Sequence, residues 1–178
     1  MKKIDKEKKE RVMNYVEKVN SNEYETSLDK GGNLINKKKS NIKRGANARA
    51  AGSRFELKVR KDLESQKWIV DKWTNNVDLK ENILGPAKRK YNPFKKVLVI
   101  GTGFPDFICF KFTKKGYDVI GVESKMNGLL SKEEKEKCSW YLQNNIFSQI
   151  LIAQKGDKRG EIEYDDFFEK YGKKYNKI

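Results

Sequence analysis

The sequence predicts an α/β domain in which a mixed β-sheet is flanked by helices. Three apolar segments typical of strands follow one another closely, at residues 96–100, 105–112 and 117–125. A fourth such segment, 147–153, follows a helix predicted over 131–144. Short turns join antiparallel strands and a helical crossover joins parallel ones, so both arrangements are expected in one sheet.

Local signals support these elements. Lys114-Lys115-Gly116 is typical of a hairpin turn. Ser131 and Glu134 form a Ser-x-x-Glu capping box, which predicts that a helix begins there. The expected order of elements is therefore α-β-β-β-α-β, with an N-terminal helical and basic extension.

The first and last elements are also predicted from spacing. Phe55, Val59 and Leu63 recur at helical intervals and lead into a strand over 68–73. A closing helix is predicted over 165–171, and five aromatic residues accompany it. They either pack on the chain's own sheet or form an interface with a second copy. These residues are Tyr164, Phe167, Phe168, Tyr171 and Tyr175.

Composition limits the chemistry available to the chain. Its 178 residues include 40 Lys and Arg but 25 Asp and Glu, which gives a net charge of +15. This surplus favours a polyanionic partner, nucleic acid first, although composition bias in the host is the alternative. The chain contains no histidine, which excludes imidazole bases and histidine metal sites. A metal would be held by carboxylates, which favours Mg²⁺ or Mn²⁺.

The cysteine content and the hydropathy indicate the cellular compartment in which the protein is expected. Cys109 and Cys138 are too few for a disulfide framework and fit a reducing, cytoplasmic location. No apolar run approaches membrane-spanning length, and the charged N-terminus does not resemble a signal peptide. No membrane association is expected.

The chain is expected to divide into an N-terminal part, 1–45, and a main domain, 46–178. The N-terminal part begins with a short amphipathic helix over 3–19, and residues 20–36 are interpreted as a linker. Seven cationic residues and no acid lie between Lys37 and Arg54, as in an arm that contacts phosphates or is simply solvated. Residues 76–95 are interpreted as a loop that contains a second basic cluster with aromatic residues.

Both basic clusters supply candidate contacts to phosphates. Those before the main domain could equally be solvated surface groups, and the aromatics of the second cluster could fold back on the core. The candidate residues are Lys43, Arg44, Arg49, Arg54, Lys88, Arg89 and Lys90.

Two acidic residues stand where apolar strands begin and end. Asp106 opens one predicted strand and Glu123 lies near the end of its hairpin partner. Strand alternation places Gly121, Glu123 and Lys125 on one face, and Gly121 would leave room for a ligand or for backbone. Buried carboxylates are costly unless they are paired or bound to a cation. Two carboxylates and an ammonium group at one sheet end can hold Mg²⁺ and stabilise charge during phosphodiester hydrolysis.

Pro105-Asp106 followed by Glu123-Ser124-Lys125 resembles the signature of the PD-(D/E)xK nuclease superfamily. Gly52-Ser53-Arg54-Phe55-Glu56 and Gly103-Phe104-Pro105-Asp106 add a similarity to archaeal Holliday junction resolvases and their relatives. The resemblance implies a restriction-endonuclease-like core and a Mg²⁺- or Mn²⁺-dependent endonuclease with linear or branched DNA as substrate. It implies Glu56, Asp106, Glu123 and Lys125 as catalytic residues, with the three acids as metal ligands, and a homodimer that cuts two strands.

Several alternatives stay open at this point. Glu56 is also the last residue of a Ser53-Arg54-Phe55-Glu56 capping box, so it either binds the metal or only caps a helix. Gln149 either supports the site through a hydrogen bond or is a polar surface residue. For function, the alternatives are a non-catalytic nucleic-acid-binding module on the same fold and a nuclease directed at RNA.

Overall fold

A computed structural model describes residues 3–29, 31–92, 96–99, 101 and 103–175 of the chain. The chain divides into two compact units, Met1–Ala51 and Gly52–Ile178. The sequence predicts this boundary slightly earlier, between residues 45 and 46. The second unit holds the sheet and all the predicted catalytic residues.

The N-terminal unit begins with helix α1 (Lys3–Asn20), which confirms the predicted first helix. The predicted linker over 20–36 is wrong. Strands β1 (Tyr24–Leu28) and β2 (Leu34–Lys38) form an antiparallel hairpin there. The connection is organised by the Asp29 carboxylate, which accepts hydrogen bonds from the backbone N–H groups of Gly31 and Asn33, both at 2.8 Å. This Asx-type turn gives a polar segment a defined structure without an apolar core.

The basic stretch that was predicted to be an arm is helical from Lys39 onward. Helix α2 runs over Lys39–Ser65, so the boundary between the two units falls within a single helix. Alanines at 46, 48, 50 and 51 favour helix strongly, and the stretch holds no proline to end it. Ser53 and Glu56 therefore lie in the middle of α2, and their interpretation as a capping box is wrong.

A five-stranded mixed sheet forms the centre of the second unit, in the order β11-β10-β9-β8-β3. Its strands are β3 (Ile69–Lys72), β8 (Phe107–Thr113), β9 (Gly116–Ser124), β10 (Gln149–Lys155) and β11 (Ile162–Asp166). As predicted, β8 and β9 are antiparallel, and β9 and β10 are parallel across helix α3 (Lys132–Gln143). Ser131 and Glu134 form the predicted capping box. Strand β11 is not among the predicted elements. Because β11 extends to Asp166, the closing helix, α4, begins at Phe167 and runs to Tyr175 rather than over 165–171.

Residues 76–95 are less loop-like than predicted. Strands β4 (Asn75–Asp78) and β5 (Ile83–Pro86) form one hairpin, and β6 (Lys90–Asn92) pairs with β7 (Val97–Val99) in another. The segment predicted as a strand over 96–100 is therefore β7, and it pairs with β6 rather than joining the central sheet. Residues 93–95 and Ile100 lie outside the described residues.

Two apolar layers hold the sheet between helices. Phe55, Val59 and Leu63 of α2 pack on one face against a cluster that includes Phe107 and Val122. On the other face, α3 and α4 contribute Cys138, Tyr141 and Phe167, which pack with strand residues such as Ile150 and Ile152. Burying each large side chain stabilises the fold by about 1.5–3 kcal/mol.

The C-terminal aromatics are used mainly inside this unit. Tyr164 packs against the cluster under α2, and Phe167, Tyr171 and Tyr175 belong to the opposite one. Phe168 is the exposed member. The aromatic surface that suggested a dimer is thus largely occupied within the chain. In the described ranges, no helix has the length and apolarity needed to cross a bilayer.

Candidate metal and catalytic site

Asp106 and Glu123 meet at one end of the paired strands β8 and β9. Phe107 pairs with Val122, so the residues just beyond this pair, Asp106 and Glu123, are neighbours. The backbone N–H of Asp106 donates to Glu123 Oε2 at 3.0 Å, and the backbone N–H of Ser124 donates to Asp106 Oδ2 at 3.0 Å. The two carboxylates therefore lie together at one end of the sheet, as predicted.

Gly121 makes room for protein groups rather than for a ligand. A Cβ atom at this position would stand 2.9 Å from Pro105 Cγ and 3.2 Å from the Phe147 ring. A side chain on Gly121 would therefore displace Pro105, the residue that precedes Asp106. The glycine contributes to the site by allowing this close approach.

Lys125 lies between two carboxylates. Its Nζ stands 3.0 Å from Glu123 Oε1 and 2.6 Å from Glu134 Oε1. Sequence reasoning placed Lys125 beside Glu123 but missed Glu134. A signal existed, because a capping-box glutamate has two oxygens: here Oε2 accepts from the Ser131 backbone N–H while Oε1 is left for Lys125.

Glu56 lies beside the site rather than at a helix start. It is half-buried on α2, and its Oε2 stands 3.4 Å from Lys72 Nζ. Burial raises the pKa of Asp106, and the negative charge of Glu56 raises it further. The negative charge of Glu56 therefore acts on Asp106, the carboxylate with which the resemblance groups it.

Burial makes the ionised state of the two central carboxylates costly. Glu123 is 4% exposed, and burial together with the charge of Asp106 raises its pKa. Burial lowers the pKa of Lys125, but hydrogen bonds to Glu134 and Glu123 more than compensate and raise it overall. Lys125 therefore stays an ammonium ion.

The charges of the site do not balance. Lys72 faces Glu56, and Lys125 faces Glu134 and Glu123. With Asp106 included, four carboxylates meet two ammonium groups, which leaves two negative charges when all are ionised. A divalent cation would neutralise this excess.

The donor set suits a hard cation held by few protein ligands. In the part of the chain that the structure describes, no group of three or more His, Cys, Asp or Glu side chains is arranged to hold a metal ion. Mg²⁺ is commonly bound by one or two carboxylates, with water and phosphate completing its coordination. The residues present fit such an ion, with Asp106 and Glu123 as its ligands.

Gln149 does not support this site. It pairs with Ile120 in the β9–β10 ladder, whereas Glu123 pairs with Ile152, three positions further along. Its side-chain amide donates to Asp166 Oδ2 at 2.7 Å. Gln149 is therefore the polar surface residue that was the alternative.

The predicted phosphate-contacting residues lie in both units. Lys43, Arg44 and Arg49 lie on the N-terminal part of α2, and Arg54 is exposed further along the same helix. Lys88 and Arg89 follow β5, and Lys90 is the first residue of β6. Cations on the surface of the protein suit phosphate contact as well as solvation.

The chain matches no family model, and no curated protein or solved structure matches it. The functional argument therefore depends on the geometry and the chemistry of the site.

Proposed function

We propose that the protein is a metal-dependent nuclease that hydrolyses phosphodiester bonds in DNA. The observation that carries the proposal is the pair of carboxylates, Asp106 and Glu123, each hydrogen-bonded to the backbone beside the other, with Lys125 paired to Glu123. The strand–turn–strand setting is the one in which PD-(D/E)xK nucleases carry their motif, so the same proposal includes a restriction-endonuclease-like core.

The chain's own residues would divide the work. Asp106 and Glu123 would hold Mg²⁺ or Mn²⁺, which supplies Lewis-acid activation of the phosphoryl group and of the attacking water. Lys125 would stabilise the negative charge that develops on the phosphoryl oxygens. Its raised pKa argues for this electrostatic role and against a role as general base.

Glu134 and Glu56 would act through their neighbours. Glu134 fixes the position of Lys125 through a hydrogen bond of 2.6 Å. Glu56 adds negative charge near Asp106 and so favours cation binding. Both are positioning residues in this proposal, since their contacts are with side chains of the site.

The DNA partner is proposed from charge. The net charge of +15 attracts a polyanion, and Lys and Arg residues lie along the surface of α2 and after β5. The acidic groups that would serve the cation are Asp106 and Glu123, with Glu56 and Glu134 beside them.

The test is incubation of the full chain with Mg²⁺ or Mn²⁺ and labelled linear, forked and four-way DNA, with RNA of the same sequence as control. We expect cleavage of DNA that is abolished by EDTA. Cleavage of the RNA alone would indicate that the protein is an RNA nuclease. Binding of DNA without cleavage under any of these conditions would leave the non-catalytic alternative.

A further inference from the structure

At the end opposite the acidic site, β8 and β9 carry an exposed aromatic pair. Phe112 and Tyr117 are directly opposite each other in the β8–β9 register, and their ring centroids are 5.3 Å apart in an edge-to-face arrangement. Phe112 is 72% exposed and Tyr117 is 62% exposed. Because strand pairing fixes both backbones, the rings stand side by side on a rigid support.

Positive charge lies in the turn next to this pair. Lys114 and Lys115 form the turn between the two strands. Lys111, by contrast, lies opposite Asp118 in the register and on the other face of the sheet from Phe112. Lys111 Nζ lies 5.2 Å from the centroid of the Trp68 ring. Asp118 is the single acid in the segment 111–118. Throughout the described residues, no salt bridge occupies these three lysines.

We propose that this hairpin tip, made of Phe112 and Tyr117 with Lys114 and Lys115, binds unpaired nucleotides. The aromatic rings stack on bases while the lysines contact the neighbouring phosphates. Stacking platforms within positive surfaces are how proteins bind single-stranded nucleic acid without reading its sequence. The proposal rests on the proposed function for the identity of the polymer, and it narrows the substrate to DNA with a single-stranded segment.

Other occupants fit the tip less well. Insertion into a membrane would drive the ammonium groups of Lys114 and Lys115 into the bilayer ahead of the aromatic rings, which is costly. A second copy of this chain docked by a two-fold axis would bring the same lysines of both copies together, and like charges repel. Phosphates and bases satisfy both kinds of group at once.

The tip and the acidic site can act on one substrate. Phe112 is six residues beyond Asp106 along the chain. At about 3.3 Å per residue, the two positions are about 20 Å apart. This distance corresponds to about six base pairs of duplex DNA at about 3.4 Å each. A substrate held at the tip by unpaired bases therefore reaches the carboxylates with its adjacent segment.

The experiment measures binding in EDTA, so that it does not depend on cleavage. Fluorescence anisotropy compares a labelled oligo-dT of about 12 nucleotides with a duplex of equal length, within the site sizes of single-strand binders. We expect Phe112→Ala/Tyr117→Ala to weaken binding of the single strand about tenfold and to leave duplex binding unchanged. Phe112→Tyr/Tyr117→Phe, which keeps both rings, should restore it. Ile83→Ala, at an apolar side chain that is 61% exposed, is the matched control.

Photocrosslinking locates the contact independently of affinity. An oligonucleotide that carries bromodeoxyuridine should crosslink to the peptide that contains Phe112 and Tyr117. Equal single-strand affinity in wild type and alanine variant, with crosslinks elsewhere, would overturn the proposal. So would a variant that loses self-association or binding to anionic vesicles but keeps its single-strand affinity.

Failure of the nuclease proposal would look different. If no DNA is cleaved in Mg²⁺ or Mn²⁺ but the aromatic variants still lose single-strand binding, the binding role of the hairpin tip is supported and the nuclease proposal is contradicted. If wild type cleaves DNA but the aromatic variants bind single strands normally, the nuclease proposal is supported and the binding role of the hairpin tip is contradicted.

Discussion

The two ends of strands β8 and β9 reverse the usual distribution of side chains. At one end, Glu123 is 4% exposed and lies beside Asp106 and Lys125. At the other end, Phe112 is 72% exposed beside Tyr117. Charged groups are normally exposed and large apolar groups normally buried. The same hairpin therefore carries two departures from the rule, and each has its own chemical explanation.

The difference between the ends is one of cost. Burying carboxylates costs stability unless a cation or hydrogen bonds compensate. Exposing a Phe and a Tyr forgoes the stability that their burial would supply, about 1.5–3 kcal/mol for a Phe. Departures from such local rules are typical of functional sites. The acidic end is proposed to do the chemistry and the aromatic end to hold the substrate.

The largest effect should come from removing groups at the acidic end. Asp106→Asn, Glu123→Gln and Lys125→Ala should each lower the cleavage rate by on the order of 10²-fold or more, because each removes a metal ligand or the charge stabiliser. Cleavage assays in Mg²⁺ measure the rate, and circular dichroism checks the fold. Asp118→Asn, an exposed carboxylate near the other end of β9, is the matched control and should keep full activity. An active Asp106→Asn variant would mean that the site is assigned wrongly.

A smaller effect is expected at Glu134, which acts only through Lys125. Glu134→Gln should lower kcat about tenfold and leave KM unchanged, because Lys125 loses its shortest ionic contact while substrate binding is untouched. Steady-state kinetics measures both constants. Ser131→Ala is the control: it removes the helix cap, costs about 1 kcal/mol of stability and should preserve kcat. Equal losses of kcat in both variants would show that Glu134 matters only as part of the cap.

The three central strands β8, β9 and β10 and their pairing could be predicted because their signals are local. The Lys114–Gly116 turn and the Ser131 cap were enough to predict the antiparallel pair and the parallel crossover correctly. The juxtaposition of Asp106, Glu123 and Lys125 followed from alternation within one hairpin.

Features that depend on helix length or on tertiary structure were missed. Ser53-x-x-Glu56 has the sequence of a cap, but α2 is already formed upstream from Lys39, so propensity over 39–52 overrides the motif. The β1–β2 hairpin lacks apolar alternation and depends on the hydrogen bonds of Asp29. Glu134 was assigned to a cap only, since its hydrogen bond with Lys125 joins two separate parts of the fold.

The stability of the acidic end should depend on pH in a defined direction. Burial, with the charge of Asp106, raises the pKa of Glu123 to about 8 from its ordinary value of 4.5. The folded protein thus keeps a proton that the unfolded chain releases, so this stability is complete below about pH 4.5 and is lost as the pH rises through about 8. Urea unfolding in EDTA should show wild type losing more than about 1 kcal/mol over this range relative to Glu123→Gln. Parallel curves for the two proteins would contradict the buried carboxyl.

The smallest effect concerns the surface cations outside both ends of the hairpin. Lys43→Ala/Arg44→Ala/Arg49→Ala should flatten the dependence of log K on log salt for duplex DNA by up to about 0.9 for each phosphate that is no longer neutralised. Anisotropy titrations at several salt concentrations measure the slope, and Lys88→Ala/Arg89→Ala tests the second cluster. An unchanged slope in both variants would mean that these residues are solvated and that DNA is held elsewhere.

The most direct measurement of the central claim is Mn²⁺ binding to the acidic end. Mn²⁺ is titrated into wild type and into Asp106→Asn/Glu123→Gln at a pH above 8, because the pKa of Glu123 is raised to about 8 and its ionised form then predominates. Bound ion is followed by electron paramagnetic resonance. We expect about one strongly bound ion per wild-type chain and none in the double variant, because the two carboxylates supply the protein ligands. Equal binding by both proteins would show that the metal is held elsewhere and would contradict the proposed site.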